Sequence, residues 1–276
     1  MKSLYAFIGV TLSLAALSGS LQAQAPETAP SWRVGVGGGS LWAPAFPGSK
    51  DYQLMVVPDI RVAYGDTFFA SVDQGVGYNF RGELGWVAGP LLKLDFGRNA
   101  DGKSAFRVAG SRSQALVGFA DIDSTLQAGG FVGGRWGDWQ ARLELLQGLN
   151  GHEGFTGSLN LDYNVVMLSA EGRRGPPTIL STGPRLLWGD AGYNDAYFGI
   201  SSAASLGSGL PSYKAGAGLV SAGWSFSYVR PLGPQLTLIG IGGYDRLMGD
   251  AADSPLVQKR GSENQFTVGL FLSWAL

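Results

Sequence analysis

The sequence predicts an all-β fold: a transmembrane antiparallel β-barrel of about 12 strands (within about 10–14) behind a cleaved signal peptide. Three observations lead there. First, the last stretch, Gln265–Leu276, alternates. Phe266, Val268, Leu270, Leu272, Trp274 and Leu276 share one face, and Gln265, Thr267, Gly269, Phe271, Ser273 and Ala275, mostly small or polar, share the other. Successive strand side chains point to opposite faces, so this is a strand with one apolar side. In a water-soluble sheet such a strand is an edge prone to aggregate, whereas a closed barrel pairs its last strand with its first. Second, the same rhythm recurs along the chain, while no apolar run beyond the leader approaches the ~18 residues of a helical span. Third, charged residues make up only 15%, yet mean hydropathy is +0.09, with 44 Gly, 8 Trp, 10 Tyr and 14 Phe. A soluble domain carries about a quarter charged residues. Modest hydropathy with abundant Gly and aromatics suits a wall that alternates lipid-facing and interior residues.

The elements follow in order. Lys2, the apolar run Leu4–Leu17 and the small residues Ser18–Ala23 form a secretory signal peptide over 1–23, cut after Ala23. Residues 24–31, with Pro26 and Pro30, form a short periplasmic leader, and 32–276 the barrel. Trp32–Trp42 is the first strand, with Arg33, Gly35, Gly37 and Gly39 inward; the Gly35–Ser40 run reads as a strand beside bulky neighbours, not a phosphate cradle. The second strand, Tyr52–Tyr64, points Leu54, Val56, Pro58, Ile60 and Val62 outward, and a bulge is expected near Pro58, which cannot donate to a ladder. After Gly65-Asp66 a third strand spans Thr67–Phe80. Trp86–Phe96 then turns Lys93 and Asp95 inward, before the irregular segment Gly97–Asp121.

Alternation resumes at Ser124–Trp136. In Trp139–Leu146 the residues Trp139, Ala141, Leu143 and Leu145 oppose Gln140, Arg142 and Glu144. A one-residue slip would put Arg142 into lipid at a cost of about 2–4 kcal/mol near the midplane, which fixes the register. Phe155–Val165 repeats the pattern with Asp162 inward. Thr178–Trp188 and Asp195–Ser201 are weaker strands; Val220–Tyr228, Leu236–Met248 and the terminal strand complete twelve. In that count the tight connections at Gly65 and Gly233 are periplasmic, Gly137 is external, and Gly97–Asp121 is periplasmic. This conflicts with the short periplasmic turns and long outer loops of such barrels.

Function classes narrow on composition. One of the 20 Lys and Arg residues, Lys2, leaves with the leader, against 21 Asp and Glu, so there is no basic excess for nucleic acid. With no Cys, disulfides and thiolate metal sites are excluded. No metal-ligand spacing and no cofactor motif is present. The only histidine, His152, could act as a base toward Ser158 in a barrel lipid-acting enzyme, but Ser158 lies six residues along the strand, about 20 Å away if extended, so His152 is read as a polar turn residue and no catalytic residue is assigned. Asp59, Arg61, Lys93, Asp95, Arg142, Glu144 and Asp162 share the lumen face with both signs of charge. They form either a constriction that selects small solutes or an ion-paired plug; a narrow barrel favours the plug. Trp32, Trp42, Trp86, Trp136, Trp139, Trp224 and Trp274 are expected at the membrane interfaces, in contact with outer-membrane lipid.

Several segments, in order, resemble the MipA/OmpV family of outer-membrane proteins: Ala43–Ser49 (APAFPGS) with Tyr52, Tyr64–Ala70 (YGDTFFA), Leu94–Arg98 (LDFGR), Gly151–Gly154 (GHEG), Tyr197–Gly199, Gly209–Pro211, Leu247–Pro255 (LMGDAADSP) and Asn264–Phe266. The resemblance covers nearly the whole mature chain. It implies an outer-membrane, non-enzymatic barrel and, for the family's namesake, a scaffold joining a periplasmic lytic transglycosylase to a bifunctional murein synthase. Gly97–Asp121 would then be the docking surface. Two positions depart from the family: Phe46 stands where Tyr is frequent, and the chain ends in Leu276 where an aromatic residue is usual. Trp274 keeps the penultimate aromatic of the signal read by the barrel-assembly machinery.

Overall fold

The computed structural model describes residues 30–167 and 176–276; the signal peptide, its cleavage site and most of the leader lie outside them. Fourteen strands form one sheet: β1 (Trp32–Pro44), β2 (Tyr52–Tyr64), β3 (Phe68–Ser71), β4 (Gly75–Tyr78), β5 (Phe80–Arg81), β6 (Trp86–Asp95), β7 (Arg107–Ala109), β8 (Thr125–Trp136), β9 (Trp139–Gly148), β10 (Phe155–Met167), β11 (Thr178–Gly189), β12 (Gly218–Pro231), β13 (Leu236–Leu247) and β14 (Asn264–Ala275). The antiparallel order runs from β1 through β14, β13 and so on round to β2, and β2 pairs with β1 again, so the sheet closes. With β5 continuing β4, and β7 a short patch on β2, the wall has twelve staves. No helix among the described residues is long and apolar enough to cross a membrane; the crossing is made by strands.

Alternation builds the wall as the sequence reading expects. Val56, Ile60, Leu92, Val132, Leu145, Leu159, Phe226 and Leu270 stand exposed on the outside, while Met55, Val57, Leu91, Phe131, Arg142 and Glu144 are buried inside. A closed sheet with an apolar exterior sits in the outer membrane. The seam between β1 and β14 depends on two glycines. A Cβ on Gly37 would fall 2.0 Å from the Leu272 carbonyl oxygen, and one on Gly39 would fall 2.4 Å from the Phe271 ring.

Twelve staves are reached by a different route from the one expected. The stretch Thr67–Phe80 is not one strand but the hairpin β3–β4, turning at Val72-Asp73-Gln74. The Asp195–Ser201 strand does not exist; that stretch lies largely in helix α1 (Ala191–Phe198). One crossing is gained and one lost. The gain precedes Gly97–Asp121, so it moves that segment to the other end of the barrel. The short connections at 65–67, 82–85, 137–138 and 232–235 now share one end, the periplasmic one, and 96–124 joins 45–51, 149–154, 190–217 and 248–263 at the outer end. Gly97–Asp121 therefore cannot be a periplasmic docking surface.

Pro58 needs no bulge in its ladder with β1: β1 and β2 pair without a break from Trp32↔Tyr64 to Pro44↔Tyr52. On its other edge β2 has only partial cover. Ile60 accepts from Val72 N at 3.3 Å and Val56 donates to Phe106 O at 3.0 Å. Pro58 lies between these two rungs, above β3 and below β7, where its missing N–H would have faced no strand.

Candidate functional site

The inward face of the wall carries separate apolar and charged groups. One side is apolar, with Leu41, Met55, Val57, Val229, Ile239 and Ile241 packed together. All seven lumen residues inferred from the sequence point inward, in separate groups. Glu144 accepts from Arg142 Nε (2.7 Å) and from Lys93 Nζ (2.9 Å), with the Arg142 guanidinium 3.9 Å above the Phe131 ring. Arg61 pairs with Asp59 at 2.7 Å and reaches Asp73 at the β3–β4 turn at 3.8 Å. Asp162 accepts from Ser225 Oγ at 3.3 Å. Asp95, at the outer end of β6, belongs to a different assembly described below.

A second charged pair escaped the sequence reading. Arg185 on β11 donates to both oxygens of Asp245 on β13, Nε to Oδ1 at 2.7 Å. Its signal was present: Arg185 and Asp245 lie at even spacing from Gly183 and Gly243 on the inward set. Neither strand had been assigned a face. Asn160, on the inward set of its strand but outside the charged group read from sequence, and Gln127 are buried there too.

The outer loops form a cap with its own core, built on α1, α2 (Ser202–Ser208), α3 (Gly249–Asp253) and α4 (Pro255–Arg260). Tyr193, Tyr197, Phe198, Val220, Leu247 and Val257 form one cluster; Phe46, Leu116, Ile200, Ala204, Leu210 and Leu256 form another. Val220 turns into the first cluster, and the β11–β12 register shifts beside it, at Leu187/Trp188. Local chemistry fixes the short helices. Asp190 caps α1 by accepting from Tyr193 N, and Ser254 caps α4 while donating to Phe198 O at 2.6 Å. Polar pegs tie cap to barrel. Gln53 accepts from Ser104 N and donates to Gly102 O and Ser111 O; Gln265 accepts from Gly48 N; Arg260 donates to the carbonyls of Ala115, Val117 and Ser208. Between cap and wall is a cavity of about 60 Å³, room for a few waters, lined by Tyr193, Ser221, Asp245, Gln265 and Thr267 among others.

His152 is part of this joint. Its side chain is fully enclosed. Nδ1 accepts from Gly154 N at 3.0 Å, and Nε2 faces Gln127 Nε2 at 3.3 Å and Asp95 Oδ2 at 3.6 Å. The ring stands edge-on to Tyr193 at 5.2 Å. Asp95 also accepts from Tyr197 OH and Gly97 N, each at 2.8 Å. Burial pushes the His152 imidazole below its usual value, against the pull of Asp95, so the ring is neutral. Burial raises the Tyr193 and Tyr197 phenols and lowers the Arg98 guanidinium to about 10. Ser158 stands opposite Glu144 and Leu187, and no hydrogen bond joins it to His152 among the described residues. Both ring nitrogens face other groups, Gly154 on one side and Gln127 and Asp95 on the other.

The aromatic residues expected at the interfaces are all lipid-side. Trp32, Trp86, Trp136, Trp139 and Trp274 lie at or near inner strand ends and Trp42 near an outer one. Trp224 is seven residues into the 14-residue β12, and its indole N–H donates to Thr182 Oγ1 at 2.6 Å. Trp188, at the outer end of β11, is a further exposed tryptophan not singled out from sequence.

The residues that carry the family resemblance assemble here. Ala43–Ser49, Leu94–Arg98, Gly151–Gly154, Tyr197–Gly199, Gly209–Pro211, Leu247–Pro255 and Asn264–Phe266 all lie in the cap or at the strand ends that hold it; Tyr64–Ala70 alone is at the inner end. Phe46, where the family often has Tyr, is 3% exposed in the cap core. Among solved structures, the chain is similar to OprB of Pseudomonas putida (10% identity, 82% of this chain and 59% of that one, TM-score 0.37). It is also similar to the β-domain of the Bordetella autotransporter BrkA (13%, 90% and 99%, 0.39) and to OmpT of Vibrio cholerae (11%, 81% and 65%, 0.31). No curated protein matches. The family model for "MltA-interacting protein MipA" matches residues 36–276, so the chain belongs to the MipA family of outer-membrane barrels.

Proposed function

We propose that this protein is a sealed, non-enzymatic outer-membrane adaptor that presents its periplasmic end to a murein-degrading lytic transglycosylase and, through it, to a murein synthase. The observation that carries the reading is the cap. Two packed apolar clusters and a set of buried polar pegs close the outer end, a costly construction for a passive pore. The family's description as MltA-interacting supplies the class of partner. With 97–121 outside, the periplasmic surface among the described residues is the rim of short turns around Asp66, Glu83, Asp138 and Gly233. A photo-crosslinking residue at 83, 138 or 233 should trap the transglycosylase in cells, while one at 101, 208 or 253 in the cap should not. Adducts from the cap positions, or none from the rim, would overturn the adaptor reading.

A passive channel for small solutes is the second reading, favoured by the charged belt inside the wall. It predicts conductance steps in planar bilayers that change with Arg142→Ala or Glu144→Ala. The adaptor reading predicts a silent bilayer.

A further inference from the structure

Three hydrogen-bond donors inside the barrel form one row. In the antiparallel register Arg142 on β9 is directly opposite Asn160 on β10, and Asn160 is directly opposite Arg185 on β11. Residues directly opposite across a ladder have Cβ atoms about 4.5–5.5 Å apart, so the three side chains span about 10 Å of one inner wall. All three are at least nine-tenths buried, at 7%, 3% and 7% exposure. Each keeps one side-chain nitrogen without a hydrogen-bond partner among the described residues: Arg142 Nη2, Asn160 Nδ2 and Arg185 Nη1.

The acceptors nearby are already engaged. Glu144 holds Arg142 Nε with one oxygen and Lys93 with the other, and Asp245 holds Arg185 Nε and Nη2 with its two. These ion pairs fix the planes of both guanidinium groups, and the Phe131 ring braces that of Arg142. What remains is a preorganised row of three donors, two of them on guanidinium groups. Asp162, two residues along β10 on the same face, is a further carboxylate beside the row; its Oδ1 accepts from Ser225 and its charge is within electrostatic reach of Arg185.

We propose that Arg142, Asn160 and Arg185 form a luminal binding site for a small oxyanion, a phosphate or carboxylate group whose oxygens accept the three remaining N–H groups. Such oxygens match the fork of a guanidinium better than any neutral acceptor. The site goes beyond the adaptor reading and does not depend on it: a docking protein or a channel could carry it equally.

The test is equilibrium dialysis of inorganic phosphate against the full mature chain in nanodiscs, at low chloride, with folding checked by heat-modifiable mobility. Wild type should bind saturably at one site per barrel. Asn160→Leu removes the middle donor and leaves both ion pairs intact; it should weaken binding at least ~10-fold. Asn160→Asp keeps the shape, places a charge of the wrong sign in the row and should abolish binding, which also covers the case in which the leucine variant does not fold. Thr156→Val, on the same face of β10 but outside the row, should bind as wild type. No saturable phosphate binding by wild type, or binding by both Asn160 variants equal to wild type, would overturn the site.

Discussion

Glu144 offers the sharpest test of whether the lumen is a packed interior or a wetted channel. Its carboxylate is 6% exposed and holds two cations, Arg142 at 2.7 Å and Lys93 at 2.9 Å, whose side chains are 8% and 12% exposed. Glu144→Gln keeps the shape but removes the charge, leaving two buried cations facing an amide. Removing one partner of a buried pair costs about 3–5 kcal/mol, because the other charge stays uncompensated. That is roughly two to three and a half decades in the unfolding equilibrium. Urea unfolding in lipid vesicles, followed by tryptophan fluorescence and heat-modifiable mobility, would measure it. The companion variant replaces the whole group, Lys93→Met with Arg142→Met and Glu144→Leu. A buried ionic triad exchanged for apolar residues of similar volume is often neutral or better, so this triple variant should be more stable than Glu144→Gln alone. A Glu144→Gln loss below ~1 kcal/mol, the range of exposed pairs, would refute the packed lumen and with it the plug.

Three further outcomes follow. Leu270→Arg, on the lipid face in the middle of β14, should cost about 2–4 kcal/mol in the same unfolding assay, and a neutral result would mean the outward face is wrongly assigned. Arg260→Ala releases three carbonyls in the cap but touches no strand; limited proteolysis in nanodiscs should cut the outer loops faster while the barrel stays folded, and equal rates would remove Arg260 from the clasp. His152 has its affinity for a proton depressed in the folded cap, so its contribution is fully present above its ordinary value of 6.5 and is lost as pH falls through the lower folded value. Cap proteolysis should therefore rise at acid pH, and Gln at position 152 should flatten that rise; a wild-type cap indifferent to pH would contradict it.

What could be read from the sequence was the wall; what could not was the cap. Period-2 alternation reports directly on lipid, because a slip puts Arg142 or Lys93 into hydrocarbon, and the charges of β2, β6, β9 and β10 are read on the correct face, whereas β11 and β13, with Arg185 and Asp245, are not assigned one. The β3–β4 hairpin was hidden because parity survives the turn. Phe68 and Ala70 before it, and Val76 and Tyr78 after it, all fall at even positions on the outside, so the stripe runs on through the reversal. Asp73 and Gly75, with φ +83 at the glycine, were the signal available. Helix α1 was misread for a different reason. Tyr193, Asn194, Tyr197 and Phe198 form one buried face, but that face includes Asn194 while the opposite one carries Ala191, Gly192 and Ala196 beside Asp195, so polarity scarcely marks which side is inside. The N-terminal capping residue Asp190, three residues before Tyr193, is its best local marker.

Lys93 and Asp95 show how the two parts are joined. They are two residues apart on the same face of β6, and they bind in opposite directions: Lys93 to Glu144 in the lumen, Asp95 to Tyr197 and the His152 joint in the cap. A strand is stiff over that distance, so the lumen network and the cap share a rigid mount. Coupling through such a mount is reciprocal: whatever stability the lumen network lends the cap through Lys93 and Asp95, the cap lends back to the lumen network.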